Sequence, residues 1–493
     1  VILKALAYSY TATLAGLAVY ALHLMVLILL YLRHRGKSSP PTPDLPRESL
    51  PEVTVQIPLR NERYVVERIL QAVAALDWPA QKLSVQILDD SDDDTTAIAK
   101  REARRLRAAG LDVQLYHRSR PQGHKAGALA AGLRKARGAF IALFDADFCP
   151  PPDFLRRTVP HLVARPELGM VQARWGHLNA QYSLLTRIQA LLLDAHFTVE
   201  HLARNRSGLL MNFNGTAGVW RREAIVDAGG WQSDTVAEDL DLSYRAQIRG
   251  WQILYLPEVV APAELPPLVT AFKQQQYRWA KGAAQSLRKL AGPLLRSPHL
   301  TGVQKGMALL HLSGYVTQPL FLLMLLLAVP LVLLAPPLPP LTAFLGSVIA
   351  VPPLLYLLGQ ISLYRDWPRR MLSYPVLMLL GMGLAWTNTL AFLDGLLNWG
   401  GEFRRTPKYR LRARGGSWKE ARYRPPLDGT LWGEVGLALY ALLGLWAALR
   451  LDHHDLLPVI LTFAGGELLM ASTSLLQHWA AAPGMEGSRV SSP

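Results

Sequence analysis

Five short segments carry residue types that could act together on a phosphorylated, polar substrate. Asp89 and Asp90 close an apolar run and are followed by the hydroxyl of Ser91. Asp145 and Asp147 repeat the theme after another apolar run, as Phe144-Asp145-Ala146-Asp147-Phe148. Like charges two residues apart repel. A hard divalent cation, Mg²⁺ or Mn²⁺, relieves that repulsion and commonly shares its remaining positions with phosphate oxygens. Between the two acidic segments Lys125, flanked by Gly123 and Gly127, offers an ammonium where the backbone can approach a diphosphate closely. Glu238 and Asp239 supply carboxylates, and a positioned carboxylate can take the proton of an attacking hydroxyl. Gln275, Arg278 and Trp279 set an amide, a phosphate-gripping guanidinium and an apolar ring face within one stretch of helix. Each segment also has a plainer reading. The acidic runs could be Asp-rich turns, the glycine-flanked lysine a helix start, and the last trio part of an amphipathic helix lying on a membrane.

What must position these residues is legible in the runs between them. Val53 to Pro58, Val85 to Leu88 and Phe140 to Phe144 are short, apolar and rich in β-branched or aromatic residues, and polar residues follow each one. Helical stretches such as Tyr64 to Leu76 and Thr95 to Ala109 separate them. That alternation predicts an α/β fold, a doubly wound parallel sheet with helices on both faces. Ligands of such sheets bind beyond the carboxyl ends of the strands, so the polar residues after each strand should share one edge.

A second part of the chain is apolar. Half of the 493 residues are hydrophobic and only 18% are charged. The excess lies in long runs at 5 to 32, 308 to 364, 371 to 398 and 430 to 480, most of them long enough to cross a hydrocarbon core as helices. The first run has no small-residue cleavage site and reads as a retained anchor. The net charge of +15 clusters beside these runs, at Arg33 to Lys37, at Arg365 to Arg370 and at Arg404 to Arg414. This is the pattern of cytosolic loops and not of a nucleic-acid surface. Keeping every basic cluster on one side gives five spans, with 371 to 398 an interfacial or re-entrant helix pair. The expected organisation is a transmembrane helix at 1–32 and a cytosolic catalytic domain at 33–300, with an interfacial amphipathic helix near 268–292. A transmembrane pair at 301–364, interfacial segments at 365–429 and a last pair with a tail at 430–493 complete it. The single cysteine, Cys149, cannot form an internal disulfide, which suits a cytosolic domain.

Taken in order, these motifs resemble the family 2 glycosyltransferases of the processive membrane class, and more closely the cellulose synthase-like mannan and glucan synthases of plants and their bacterial relatives. The resemblance rests on the D, DxD, ED and Q-x-x-R-W series. It rests also on Val55 to Pro58, Asn61 to Arg63, Lys125 to Gly127, Val171 to Trp175, His196 to Glu200 and Asn214 to Trp220, and is dense from 50 to 292. It implies a nucleotide-sugar-binding domain of GT-A type. It also implies donor contacts from Asp89, Asp90, Lys125, Asp145, Asp147, Gln275 and Arg278, with Asp145 and Asp147 holding Mg²⁺ or Mn²⁺. Asp239 would be the general base with Glu238 as its neighbour, and Trp279, Asn214, Gly215 and Thr216 would face the acceptor. Phe403, Thr406 and Lys408 resemble a gating loop, although Arg405 stands where that motif has Val, and Ala237 stands where the cellulose type commonly has Thr.

The implied function is an inverting transfer from a nucleotide diphosphate sugar to a growing β-glucan or β-mannan, with translocation of the polymer across the bilayer. UDP-glucose is favoured over GDP-mannose as donor. A lipid glycosyltransferase adding one sugar, or a transporter without catalysis, are the rival readings. The expected location is a bacterial inner membrane with the catalytic domain in the cytosol and no nucleic acid as partner.

Overall fold

The computed structural model describes residues 1–401, 406–412, 418 and 429–480. Among the described residues seven strands form one sheet in the order β3-β2-β1-β4-β6-β5-β7. They are β1 Val53–Leu59, β2 Leu83–Asp89, β3 Asp112–His117, β4 Phe140–Leu143, β5 Leu168–His177, β6 Gly218–Arg221 and β7 Gln252–Ala263. β1, β2 and β4 are buried along almost their whole length, because helices cover both faces of the sheet and leave no side for water.

β3, β2, β1 and β4 run parallel, as do β5 and β7, while β6 is antiparallel to both β4 and β5. The doubly wound α/β expectation therefore holds with one strand reversed, and the reversal has a use. In an antiparallel strand the amino end lies at the edge where the parallel strands have their carboxyl ends. Gly218 pairs with Leu143, so the loop that enters β6, Asn214 to Ala217, arrives at the edge where β4 releases Asp145 and Asp147. The Asp145 N–H donates to the Thr216 hydroxyl at 2.8 Å and joins the two.

Around the sheet and toward the chain's apolar parts lie nineteen α-helices among the described residues. The first nine are α1 Ile2–His34, α2 Val66–Ala74, α3 Thr95–Ala108, α4 His124–Lys135, α5 Phe154–Ala164, α6 Leu184–Ala195, α7 Leu202–Arg206, α8 Arg222–Asp227 and α9 Glu238–Ile248. They are followed by α10 Val269–Arg296, α11 Gly302–Leu312, α12 Thr317–Leu334, α13 Leu341–Gly346 and α14 Val351–Leu363. The last are α15 Trp367–Met371, α16 Tyr374–Gly383, α17 Ala385–Leu397, α18 Leu431–Arg450 and α19 Leu457–Ala480. Among the described residues, five helical stretches are long and apolar enough to cross a membrane: Ile2–His34, Gly314–Leu334, Leu341–Leu363, Leu431–Arg450 and Leu457–Trp479. The segment Trp367–Gly383 with Ala385–Leu397 is apolar enough too but bends by 47° at its break.

The apolar helices pack into a core of their own, built on Leu325, Ala328, Ala385, Ala441, Ile460 and Phe463. Between them lies a cavity of about 950 Å³ whose wall includes Tyr315, Thr317, Gln318, Tyr356 and Asn388 among apolar side chains. α10 joins the two parts of the molecule. Phe272 and Gln276 line that cavity, while Gln275, Arg278 and Trp279 line a cleft at the carboxyl edge of the sheet.

Candidate active site

Chain segments far apart in sequence bound the cleft. Strand ends supply Asp90, Asp145 and Asp147; the start of α4 supplies Lys125; the loop before β6 supplies Asn214. Glu238 and Asp239 come from the first turn of α9, and Gln275, Arg278 and Trp279 from α10. Thr406 and Lys408 enter from the segment after α17. Phe403 lies outside the described residues.

Adjacent residues of a strand face opposite sides, and Asp89 and Asp90 divide accordingly. Asp89 is fully buried and does not line the cleft. Its carboxylate accepts from the Ser91 N–H at 3.1 Å and the Thr96 hydroxyl at 2.6 Å, and sits 2.9 Å from His117 Nδ1. Asp89 thus shapes the turn. Asp90 lines the cleft and takes a two-pronged grip from Arg118, with Nε at 2.6 Å and Nη2 at 2.5 Å. Arg118 also donates to the carbonyls of Gln122 and His124, so one guanidinium fixes Asp90 and the approach to α4 together.

That approach sets Lys125. Gly123 begins α4 with φ +70°, a left-handed turn that glycine adopts without strain, and a Cβ on Gly127 would lie 1.9 Å from the Gln122 carbonyl oxygen. The Lys125 ammonium lies 2.7 Å from Asp145 and 3.7 Å from Glu238 and donates to the Gly215 carbonyl at 3.0 Å. Burial works against its charge, but Asp145 and Glu238 more than compensate and hold its proton above the ordinary lysine range.

Asp239 sits across from Gly215. A Cβ at Gly215, whose φ is +80°, would come within 2.7 Å of Asp239 Oδ2, so only glycine lets this carboxylate approach the loop. Burial, and next the charge of Glu238, push the Asp239 carboxyl up to about 7, against the pull of Lys125. A carboxyl tuned near neutrality can accept a proton and release it again at physiological pH. Thr216 and Gly215 do not line the cleft; they act through the backbone of Asp145 and the ammonium of Lys125.

Asp147 is held by Lys408, whose Nζ lies 2.6 Å from its Oδ2 and also donates to the Glu264 carbonyl. Two carboxylates of the DxD segment are hard oxygen ligands suited to Mg²⁺ or Mn²⁺. Among the described residues no group of three or more His, Cys, Asp or Glu side chains is arranged to hold a metal ion. A cation here would take protein ligands from Asp145 and Asp147 and complete its shell with ligand oxygens and water.

Two participants escaped the motif reading. Arg118 directly follows β3 and Glu264 directly follows β7, so both obey the rule that polar residues after strands collect at one edge. Glu264 is buried in the cleft wall, where it accepts from Arg68 at 3.1 Å and from the Tyr409 N–H at 2.7 Å.

Residues 51–282 match the family model described as glycosyltransferase like family 2. Over 257 residues the chain is 42% identical to glucomannan 4-beta-mannosyltransferase 7 of Arabidopsis thaliana, covering 51% of this chain and 46% of that protein. Over 263 residues it is 42% identical to glucomannan 4-beta-mannosyltransferase 1 of Oryza sativa subsp. japonica, covering 52% of this chain and 50% of that protein. The chain thus spans about half the length of these relatives. In fold it is similar to the mannosyltransferase PcManGT from Pyrobaculum calidifontis, solved in complex with GDP-Man and Mn²⁺. The TM-score is 0.53 at 22% identity, over 80% of this chain and 99% of that one.

Proposed function

From the match of residues 51–282 to the glycosyltransferase like family 2 model, we propose that this chain is an inverting membrane glycosyltransferase of that family that extends a β-mannan or glucomannan from GDP-mannose. The observation that carries the reading is the convergence of Asp90, Lys125, Asp145, Asp147, Asp239 and the Gln275, Arg278, Trp279 trio on one cleft. An acceptor hydroxyl attacks the anomeric carbon of the donor, its proton passes to Asp239, and the bond to the nucleoside diphosphate breaks on the opposite face. Lys125 and Arg278 offset the charge that gathers on the departing diphosphate. A divalent cation held by Asp145 and Asp147 would supply further charge neutralisation there. Asp90, fixed by Arg118, faces the nucleoside, and Trp279 and Asn214 face the acceptor.

The donor assignment differs from the UDP-glucose favoured by sequence, because the relatives are named as mannosyltransferases of glucomannan. Those relatives come from plants and lend nothing to a bacterial inner membrane. The proposal keeps the membrane and a cytosolic catalytic side, on which the basic clusters flank the apolar helices. The cavity among those helices, with Tyr315, Gln318 and Asn388 in its wall, offers the product polar and aromatic groups on a route through the bilayer. The test is to incubate purified protein with GDP-mannose, UDP-glucose and other nucleotide sugars, measuring released nucleotide diphosphate and product length. GDP-mannose should give the fastest release and a β-linked polymer. Preference for a uridine donor would overturn the donor assignment, and a product of one added sugar would overturn polymerisation.

A pH dependence follows from Asp239. The base works unprotonated, and burial has pushed its carboxyl up to about 7, so kcat/KM should rise with pH through about 7 and level off above it. At pH 5, two units lower, about one molecule in a hundred carries the active form, and kcat/KM should be about a hundredfold down. A flat profile from pH 5 to 8 would exclude Asp239 as the titrating base.

A further inference from the structure

At four-residue intervals over the first part of α10, from Val269 to Gln285, five residues are tied to a helix of the apolar part or to the segment that leaves one. The Val269 N–H donates to Gln477 of α19 at 2.7 Å, and Lys273 pairs with Glu434 of α18. Tyr277 and Lys281 both reach Asp394 of α17, at 2.9 and 2.7 Å. The fifth member, Gln285, is fully buried and bonds in two directions. Its Nε2 donates to the carbonyls of Asn398 at 2.9 Å and Gly400 at 2.8 Å, just beyond α17. Its Oε1 accepts from the Val236 N–H at 2.8 Å, three residues before Asp239. The Gly400 N–H closes the loop by donating to the Asp234 carbonyl at 2.8 Å. One turn earlier on α10, Gly282 lets Ala237 lie directly on the helix, since a Cβ there would come 2.5 Å from that of Ala237.

We propose that Gln285, with Gly282 beneath it, is a positioning residue for catalysis: it holds the segment from Val236 to Asp239 against α10 and ties the base to the end of α17. The inference rests on the proposed function, because it takes Asp239 as the base. The physical reasoning is local. Gln285 satisfies one donor and two acceptors of the backbone in a buried place where water is not a ready substitute. The Val236 N–H and Asp239 belong to one short turn entering α9, so loosening the first displaces the second. A shift of about 1 Å in a reacting group can cost about 10²-fold in rate without loss of binding. Gln275 and Arg278 lie about three and about two turns from Gln285 on the same rigid helix, so donor contacts are expected to survive.

The experiment uses the full chain in lipid nanodiscs with two variants. Gln285→Met replaces the amide by an apolar chain of similar length. Gly282→Ala removes no hydrogen bond and favours the helix, yet pushes Ala237 away. Both should lower kcat by about 10- to 100-fold while donor KM stays within about twofold of wild type. Deuterium uptake by a peptide spanning 232–240 should quicken at least tenfold, with uptake over Val53–Leu59 unchanged. Asp239→Asn, as control, should lose turnover without faster uptake. Wild-type kcat in either folded variant, or kcat and KM failing together with uptake rising across the whole domain, would overturn the proposal. Should Gln285→Met not fold, Gly282→Ala decides by the same criteria. A wild-type chain that turns over no nucleotide sugar would sink the proposed function instead, and the uptake comparison would still decide whether Gln285 and Gly282 hold the loop.

Discussion

Replacing Asp239 by Asn is expected to lower sugar transfer by about 10² to 10⁴-fold, the loss characteristic of a missing general base. The substitution keeps size and shape, so the close approach to Gly215 and the bond from the Leu240 N–H to Oδ1 can both persist. What disappears is the site for the hydroxyl's proton. Donor affinity should stay nearly unchanged, because Lys125, Asp145 and Arg278 remain in place, and removal of one buried negative charge leaves Lys125 still paired with Asp145. Titration calorimetry with the nucleoside diphosphate, beside rates of nucleotide release, separates the two effects. A variant that keeps a tenth of wild-type activity would remove Asp239 from the role and direct attention to Glu238, its neighbour in α9, 3.7 Å from Lys125.

Chelation of divalent metal should be nearly as damaging. Charge stabilisation by a bound cation is worth several kcal/mol in transfer reactions. About 3 kcal/mol corresponds to about 10²-fold in rate, so excess EDTA should reduce turnover by at least that factor and Mn²⁺ should restore it. Binding should also need the nucleotide. Asp147 is engaged by Lys408 and Asp145 by Lys125, so a cation arriving alone must compete with two ammonium groups for two carboxylates. A diphosphate changes the balance, since it brings oxygens for the metal and a new anionic partner for either lysine. Electron spin resonance of Mn²⁺ should accordingly register binding with GDP present and little without it. Full turnover in excess EDTA by metal-free protein would end this assignment.

The carboxyl edge of the sheet could be read from sequence because its logic is repetitive: an apolar strand, then a polar residue with work to do. The same logic, applied to β3 and β7, would have picked out Arg118 and Glu264, whose neighbours in sequence form no familiar motif. Period-two alternation would have told Asp89 from Asp90. The reversed strand β6 was harder. Its four residues, GVWR, are too few to carry direction, and direction is decided by pairing with β4 and β5, which are about 50 to 80 residues earlier in the chain. Gln285 lay beyond reach for another reason. A lone glutamine in a helix has no signature, and its importance comes from three backbone partners that only the folded chain brings together.

The ties at four-residue intervals along α10 also bear on how the molecule is made. Gln477, which receives the first N–H of α10, is 208 residues downstream of Val269, and Glu434 follows Lys273 at a comparable remove. During synthesis α10 leaves the ribosome long before either partner exists. Until then Lys273, fully buried in the finished protein, lacks the carboxylate of Glu434, and the first N–H of α10 lacks the acceptor that Gln477 supplies. The helix that carries Gln275, Arg278 and Trp279 therefore gains these two ties only once α18 and α19 have been made. An unfinished chain would lack both of these ties, and the transfer proposed above is expected to begin late in synthesis.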